Sequence, residues 1–373
     1  MARYTFEVVF ISMFDVGRSI DLARTSKLVP ASQDVRIIDT RDTPASLSIP
    51  VPLLIEIDRR TFGKNDPFAS LQLQGKIYEE GVVSMIARVT KSLPLTQLHT
   101  VRGLEFEIDG ERTTIRRWMH EKFQRLLAQI KPAVTKGEYF FETVERETYT
   151  AFCLIDEVKD PGRFLKENDQ YLSTFLLGER PDIELHGSQI DSTLRHTFSF
   201  KKNDLMVLDL DRCFIIDPDR SYDDVLLILE LANYQLLELR TLDKLLDRWL
   251  DLAEDDINEV FIKRSHRSRR LAKRIGGLLP LRLDALFILE NLENTSKIIG
   301  DYYLGQVYDH LCALINTAQW ELSVRRRLDA LQSIYQAAKV DVNERLLIFM
   351  EVLVVLLFAI EIVALFLPFL THR

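Results

Sequence analysis

Two aspartates one residue apart close an apolar run in LMVLDLDRC, residues 205–213. An apolar strand ending in Asp-x-Asp is the opening of a phosphatase in which the first Asp attacks phosphate and the second handles protons. Asp209 and Asp211 have that spacing. Cys213, however, stands at the fifth position of the motif, where Thr or Val is usual, and the chain downstream carries heptads in place of the α/β core such an enzyme needs. The two acids therefore read as surface residues at a strand end. The seven histidines are scattered, and His186 and His196 in HGSQIDSTLRH lie ten apart, which is no metal-ligand spacing. No phosphate-binding Gly-Lys loop and no nucleophile elbow occur. No catalytic, cofactor-binding or metal-ligating residue is assigned, and the expectation is a protein that is not an enzyme. An enzyme hidden in residues 1–220 is the alternative.

Two further groups of charges could act through binding. Residues 263–274 hold Lys263, Arg264, Arg267, Arg269, Arg270, Lys273 and Arg274 without one acid. Such a run can touch RNA or anionic lipid, or be an ordinary solvated helix face. The second group is a pair of glutamates, Glu351 and Glu361, inside the otherwise apolar stretch that closes the chain. Ten residues at about 100° each put them roughly 80° apart on a helix, which is one broad side. Acids in such a setting are expected to be protonated or packed against a partner helix, so this side is read as an assembly face.

The elements that hold these residues divide the chain in three. With 47% apolar residues a real core is expected, and a net charge of −8 argues against a surface made for nucleic acid throughout. Three distant cysteines, Cys153, Cys213 and Cys312, fit a reducing compartment. In the opening residues MARYTFEVVFISMFDVG, Tyr4, Phe6, Val8 and Phe10 alternate with Thr5 and Glu7 as in a strand, and Glu7 and Asp15 interrupt any signal-peptide pattern. Residues 1–220 read as a mixed α/β domain. Strands are expected near 35–38, 48–57, 101–108, 139–154 and 205–216, and a helix over 114–132 that ends at Pro132. Residues 221–345 read as a long helical hairpin or coiled coil. Val225, Leu229, Ala232, Leu236, Leu239, Leu246, Leu250, Ala253, Ile257 and Val260 follow four-three steps, broken once by Asp243. Asp243 reads as a register-setting seam residue, or one satisfied by Arg240 or Lys244. A second helix runs on without Gly or Pro from Val324 into the closing stretch.

Residues 346–370 read as a transmembrane anchor. Positions 346–367 are 22 residues, 20 of them apolar; at about 1.5 Å each they would cover roughly 33 Å, against a hydrocarbon thickness of about 30 Å. A long buried helix in a soluble oligomer is the alternative. The overall expectation is an α+β N-terminal domain, coiled-coil-like helices and a single C-terminal transmembrane helix. The large domain would face the cytoplasm or its organelle equivalent.

LMVLDLDRCFIIDP, then LLILELANYQLLELRTLDKLLDRWLD, then a helical stretch ending in NER before the apolar end, resembles the "required for meiotic nuclear division" family. The most specific part is ELANYQLLELRTLDKLLDR, residues 230–248, while FDVG at 14–17 is similar to that family's aromatic-Tyr-Gly turn with Val16 in place of the aromatic. The resemblance implies a single-pass member of a cell inner membrane, of bacterial type. It further implies a scaffold that brings a partner such as a ribosome or RNA to the membrane, and it carries over no catalytic residues. The function expected is a non-enzymatic tether that forms a homo-oligomer through its helices. A structural subunit of a membrane complex without nucleic acid is the alternative.

Overall fold

The computed structural model describes residues 2–29, 32–34, 52–63, 66–135, 144–257, 276–277, 280–283, 285–286, 288–290 and 301–371. The N-terminal part runs β1 (Arg3–Asp15), β2 (Ser19–Ile20), α1 (Leu22–Leu28), β3 (Ser32–Asp34), β4 (Leu53–Thr61), β5 (Ser70–Ile77) and β6 (Val82–Pro94). A 3-10 segment (Leu95–Gly103), β7 (Glu105–Ile108), β8 (Glu111–Thr114), α2 (Ile115–Ile130), β9 (Val134–Thr135) and β10 (Glu145–Leu154) follow. Next come α3 (Pro161–Glu167), α4 (Asp169–Leu176), α5 (Gly187–Leu194), β11 (Thr197–Phe198), β12 (Leu205–Leu208) and β13 (Arg212–Ile216). The chain closes with α6 (Asp223–Ile257), α7 (Tyr302–Leu314) and α8 (Thr317–Thr371).

Nine strands form one sheet in the order β11-β12-β13-β10-β1-β6-β5-β4-β3. β1 lies in the middle, antiparallel to β6 over its full length and antiparallel to β10. β10 and β13 are parallel. Alternate side chains of β1 go to opposite faces. Phe6, Val8, Phe10 and Phe14 join the core on one face, and Val9, Ile11 and Met13 join the core on the other. Both faces are covered, so the strand needs apolar residues at nearly every position, which is why FEVVFISMF alternates so little.

The first face carries α2, the 3-10 segment, α3 and α4. Thr114 caps α2 by accepting the Arg117 amide, and Trp118, Met119, Phe123, Leu126 and Ile130 form its buried stripe. Phe123 stacks on Phe14 of β1 with ring centroids 3.7 Å apart. The other face is covered by the first half of α6 and by α7: Leu226, Leu229 and Leu237 share a core with Val307, Tyr308 and Leu311 and with the β1, β10 and β13 side chains. The result is a three-layer helix–sheet–helix domain.

Strands β5 and β6 are absent from the sequence expectation. β5 does alternate, through Leu71, Leu73 and Ile77. β6 is buried on both faces over its first half and loses the period-2 signal. The strand expected over 101–108 forms only at β7, because the preceding residues wind into the 3-10 segment. The run 205–216 is a hairpin, β12 and β13, with Asp209 and Asp211 in its turn. The strand expected at 35–38 lies outside the described residues.

Two compact units result: 1–241 with 290–320, and 242–289 with 321–373. In the second unit Leu246, Trp249, Val324, Leu331 and Tyr335 are buried.

The fold class needs correction at its C-terminal end. Among the described residues no helix is long and apolar enough to cross a membrane. The single-pass anchor, the membrane as partner and the inner-membrane localisation that rested on it are therefore not supported. The coiled-coil expectation for the start of α6 also changes. Its four-three periodicity is met by packing on a sheet, since any long helix with one broad buried side shows it.

Candidate functional site

The most unusual chemistry of the first unit lies where the middle of α6 crosses the end of β1. Asp15 is the last residue of β1, Glu80 sits in the turn joining β5 to β6, and Glu238 is on α6. Asp15 and Glu238 are only 8% and 5% exposed. The backbone that brings them together is fixed by glycine. Gly81 adopts φ +96°, and a Cβ on it would lie 1.8 Å from the Gly17 carbonyl oxygen. The close approach lets the Val16 amide donate to the Gly81 carbonyl at 2.9 Å and the Ile20 amide to the Glu79 carbonyl at 2.8 Å. Gly17 has its own reason to be glycine, with Val134 Cγ1 and the Thr135 carbonyl within 2.9 Å of a Cβ built there.

Burial dominates the electrostatics. It raises the Asp15 carboxyl from 3.8 to about 7; the Thr241 hydroxyl and the Gly17 amide act downward, and the Glu145 charge acts upward. Burial likewise pushes Glu238 well above the usual carboxylate range, with Asp15 and Glu80 adding to it. Glu80 is raised by burial and by Glu79, against a backbone hydrogen bond. Glu80 Oε2, Glu238 Oε1 and Thr241 Oγ1 are buried without a hydrogen-bond partner. The Thr241 hydroxyl is thus close enough to Asp15 to lower its pKa, yet makes no bond of good geometry. Buried acceptors without donors are costly as carboxylates and far less so as protonated acids, which bring their own donor.

Eight residues back along the helix the same surface is treated differently. Lys76 forms an ion pair with the buried Glu230, and the Tyr78 hydroxyl donates to Glu230 at 3.0 Å. Tyr78 and Tyr234 pack with centroids 5.5 Å apart between the two acidic places. One buried glutamate of α6 therefore has a cation and a donor, and the next has neither among these contacts. Three or more His, Cys, Asp or Glu side chains placed to hold a metal ion do not occur among the described residues. Chemically the cluster can store and release protons.

Asp209 and Asp211 do not resemble a catalytic pair. Asp211 binds Arg102 and Arg212 at 2.8 and 2.7 Å; burial acts upward on its pKa, but the two guanidinium groups hold it below the usual range. Asp209 accepts the Leu210 amide and is raised by burial. A cavity of about 230 Å³ lies between the β12–β13 hairpin, α6 and α7. Its carboxylates serve the backbone: Asp217 accepts the Asp219 and Ser221 amides, Asp204 the Phe200 and Lys201 amides, and Asp301 caps α7.

The residues singled out by sequence are dispersed. Leu229, Leu239 and Leu246 are fully buried on α6, and Leu236 and Leu250 are half-buried. Asp243 pairs with Arg327 at 3.2 Å and accepts the Ser323 hydroxyl at 3.1 Å, both from α8. Glu351 and Glu361 are exposed on α8, among apolar side chains that are exposed as well. The basic run of Lys263, Arg264, Arg267, Arg269, Arg270, Lys273 and Arg274 lies outside the described residues. Sequence reasoning missed the carboxyl cluster. Its one visible sign was the polar positions of ELANYQLLELR, which a helix covered on most sides turns inward.

A three-layer helix–sheet–helix domain extended by long helices is the class these observations define. The chain belongs to the family described as "Uncharacterized protein MJ0711, N-terminal domain", whose model matches residues 5–223, from β1 to the first residue of α6. The Methanocaldococcus jannaschii protein described as "Uncharacterized protein MJ0711" is 22% identical over 297 residues, which is 79% of this chain and 81% of that protein. No solved structure matches. These findings replace the resemblance to the "required for meiotic nuclear division" family. The residues that carried it, 230–248, lie on α6, whose apolar pattern up to Leu237 is met by packing on the sheet, and the ribosome or RNA partner it implied has no support from it.

Proposed function

We propose that the protein is a non-enzymatic scaffold that assembles with further copies of itself through its long helices. One observation carries this reading: on α8 every residue from 347 to 362 is exposed, and fourteen of these sixteen are apolar. The large apolar side chains among them are between 41% and 67% exposed. Single chains rarely leave so long an apolar surface uncovered. Apart from Glu351 and Glu361 the stretch is apolar around the helix, so it calls for more than one flat partner. Glu351 and Glu361 give it one polar side, about 80° wide, that would set the register between copies. Light scattering on the full-length protein tests the reading. The expected mass is a multiple of 43.3 kDa, shifting to a single chain when Leu353 and Leu357 are both changed to Glu. A strict monomer for the unaltered chain would overturn it.

A further inference from the structure

The carboxyl cluster is placed to do more than fill space. We propose that Asp15, Glu80 and Glu238 form a proton-operated catch that holds the Tyr234–Thr241 part of α6 onto the end of the sheet. With protons on the cluster the helix is closed on the sheet; when they leave, this part of the helix loosens.

The geometry supplies the catch. Three acids from three separate elements converge under one helix: the end of β1, the β5–β6 turn and α6. Two of them have an oxygen buried without a donor, Glu80 Oε2 and Glu238 Oε1. Protonation gives the cluster donors of its own for such oxygens. Full ionisation would put like charges side by side in a place from which water is largely excluded. The cluster then titrates as a unit, and its pKa values are all displaced upward, Asp15 to about 7.

The neighbouring charges do not relieve it. On β5, Lys76 is taken by Glu230 of α6. On α6 itself, Arg240 is taken by Glu147 of β10. Glu145 of β10 and Glu79 of the turn add negative charge. Tyr78 and Tyr234 are pushed to higher pKa by burial and remain neutral. Arg18, beside the β1 end, is engaged in an interaction, and its charge is not among the causes that shift Asp15, Glu80 or Glu238. The position matters too. Glu238 lies one turn before α6 passes from the first compact unit into the second, between Thr241 and Leu242.

Hydrogen exchange of the full-length protein, read by mass spectrometry at pH 6 and pH 8.5 and corrected for intrinsic exchange rates, tests the catch. Peptides over 230–241 are expected to lose at least about tenfold protection at the higher pH, while peptides from β1 and β6 keep theirs. Glu238→Gln and Asp15→Asn should each abolish the difference, since the amide keeps the shape and cannot ionise. Equal protection of 230–241 in the unaltered protein at both pH values would overturn the proposal, and this holds even if both variants misfold. Variants that lose protection with pH as the unaltered chain does would overturn it as well.

Discussion

At the scale of residues, α6 carries two buried glutamates with opposite solutions. Glu230 has Lys76 and the Tyr78 hydroxyl; Glu238 has other acids. The consequence for stability follows from linkage. Asp15 is raised from 3.8 to about 7 in the folded chain, so the folded state binds more protons than the unfolded state across that interval. Its contribution to stability is present below the unfolded pKa, declines as pH rises between the two values, and is lost above the folded one. Asp15→Asn cannot titrate. Thermal melts from pH 4.5 to 8.5 should show the unaltered chain losing stability towards the alkaline side, and the variant losing less. A variant whose melting temperature follows the unaltered curve in parallel would show that Asp15 does not carry the slope.

At the scale of elements, the turn after β5 fixes the end of β1. Gly81 is needed twice over, for its φ of +96° and because a Cβ would collide with the Gly17 carbonyl. A strained left-handed residue alone costs about 1–3 kcal/mol, and a backbone collision adds to it. Gly81→Ala should therefore lower the urea midpoint by an amount above that range when converted to free energy. Gly103, whose built Cβ meets nothing within 4 Å, is the matched control: Gly103→Ala should change little. The facing corner at residues 14–17, at the end of β1, was marked in the sequence as a turn by FDVG. The turn after β5 and the strand that follows it were not, because burial on both faces removes the alternation that marks a strand.

At the scale of the molecule, the family match ends as α6 begins, so it takes in the sheet and the helices of its first face, while α6 and α7, which cover the other face, lie beyond it. Cys153 on β10 and Cys213 on β13 lie in the core between sheet and α6, both fully buried, and burial pushes both thiols up. Cys312 on α7 is only partly buried. A thiol reagent applied to the native protein should modify Cys312 first. The other two should react no faster than the first unit unfolds, because the attacking species is the thiolate. Rapid native labelling of Cys153 or Cys213 would contradict the closed second face.

The amino-acid sequence by itself determined the local elements: a strand through residues 4–10, a capped amphipathic helix ended by Pro132, and a long helix from residue 225 onward. Each depends on neighbours three or four residues away, or on alternation, and these are printed in the chain. Only the tertiary structure decided what those helices face. The four-three pattern of α6 is the same whether its broad side meets a second helix or a sheet, so periodicity alone could not show that its first half lies on the sheet. Three acids at positions 15, 80 and 238 are unremarkable in sequence. They become one titrating unit because the glycine-fixed β5–β6 turn and the packing of α6 close over the end of β1 and exclude water from between them.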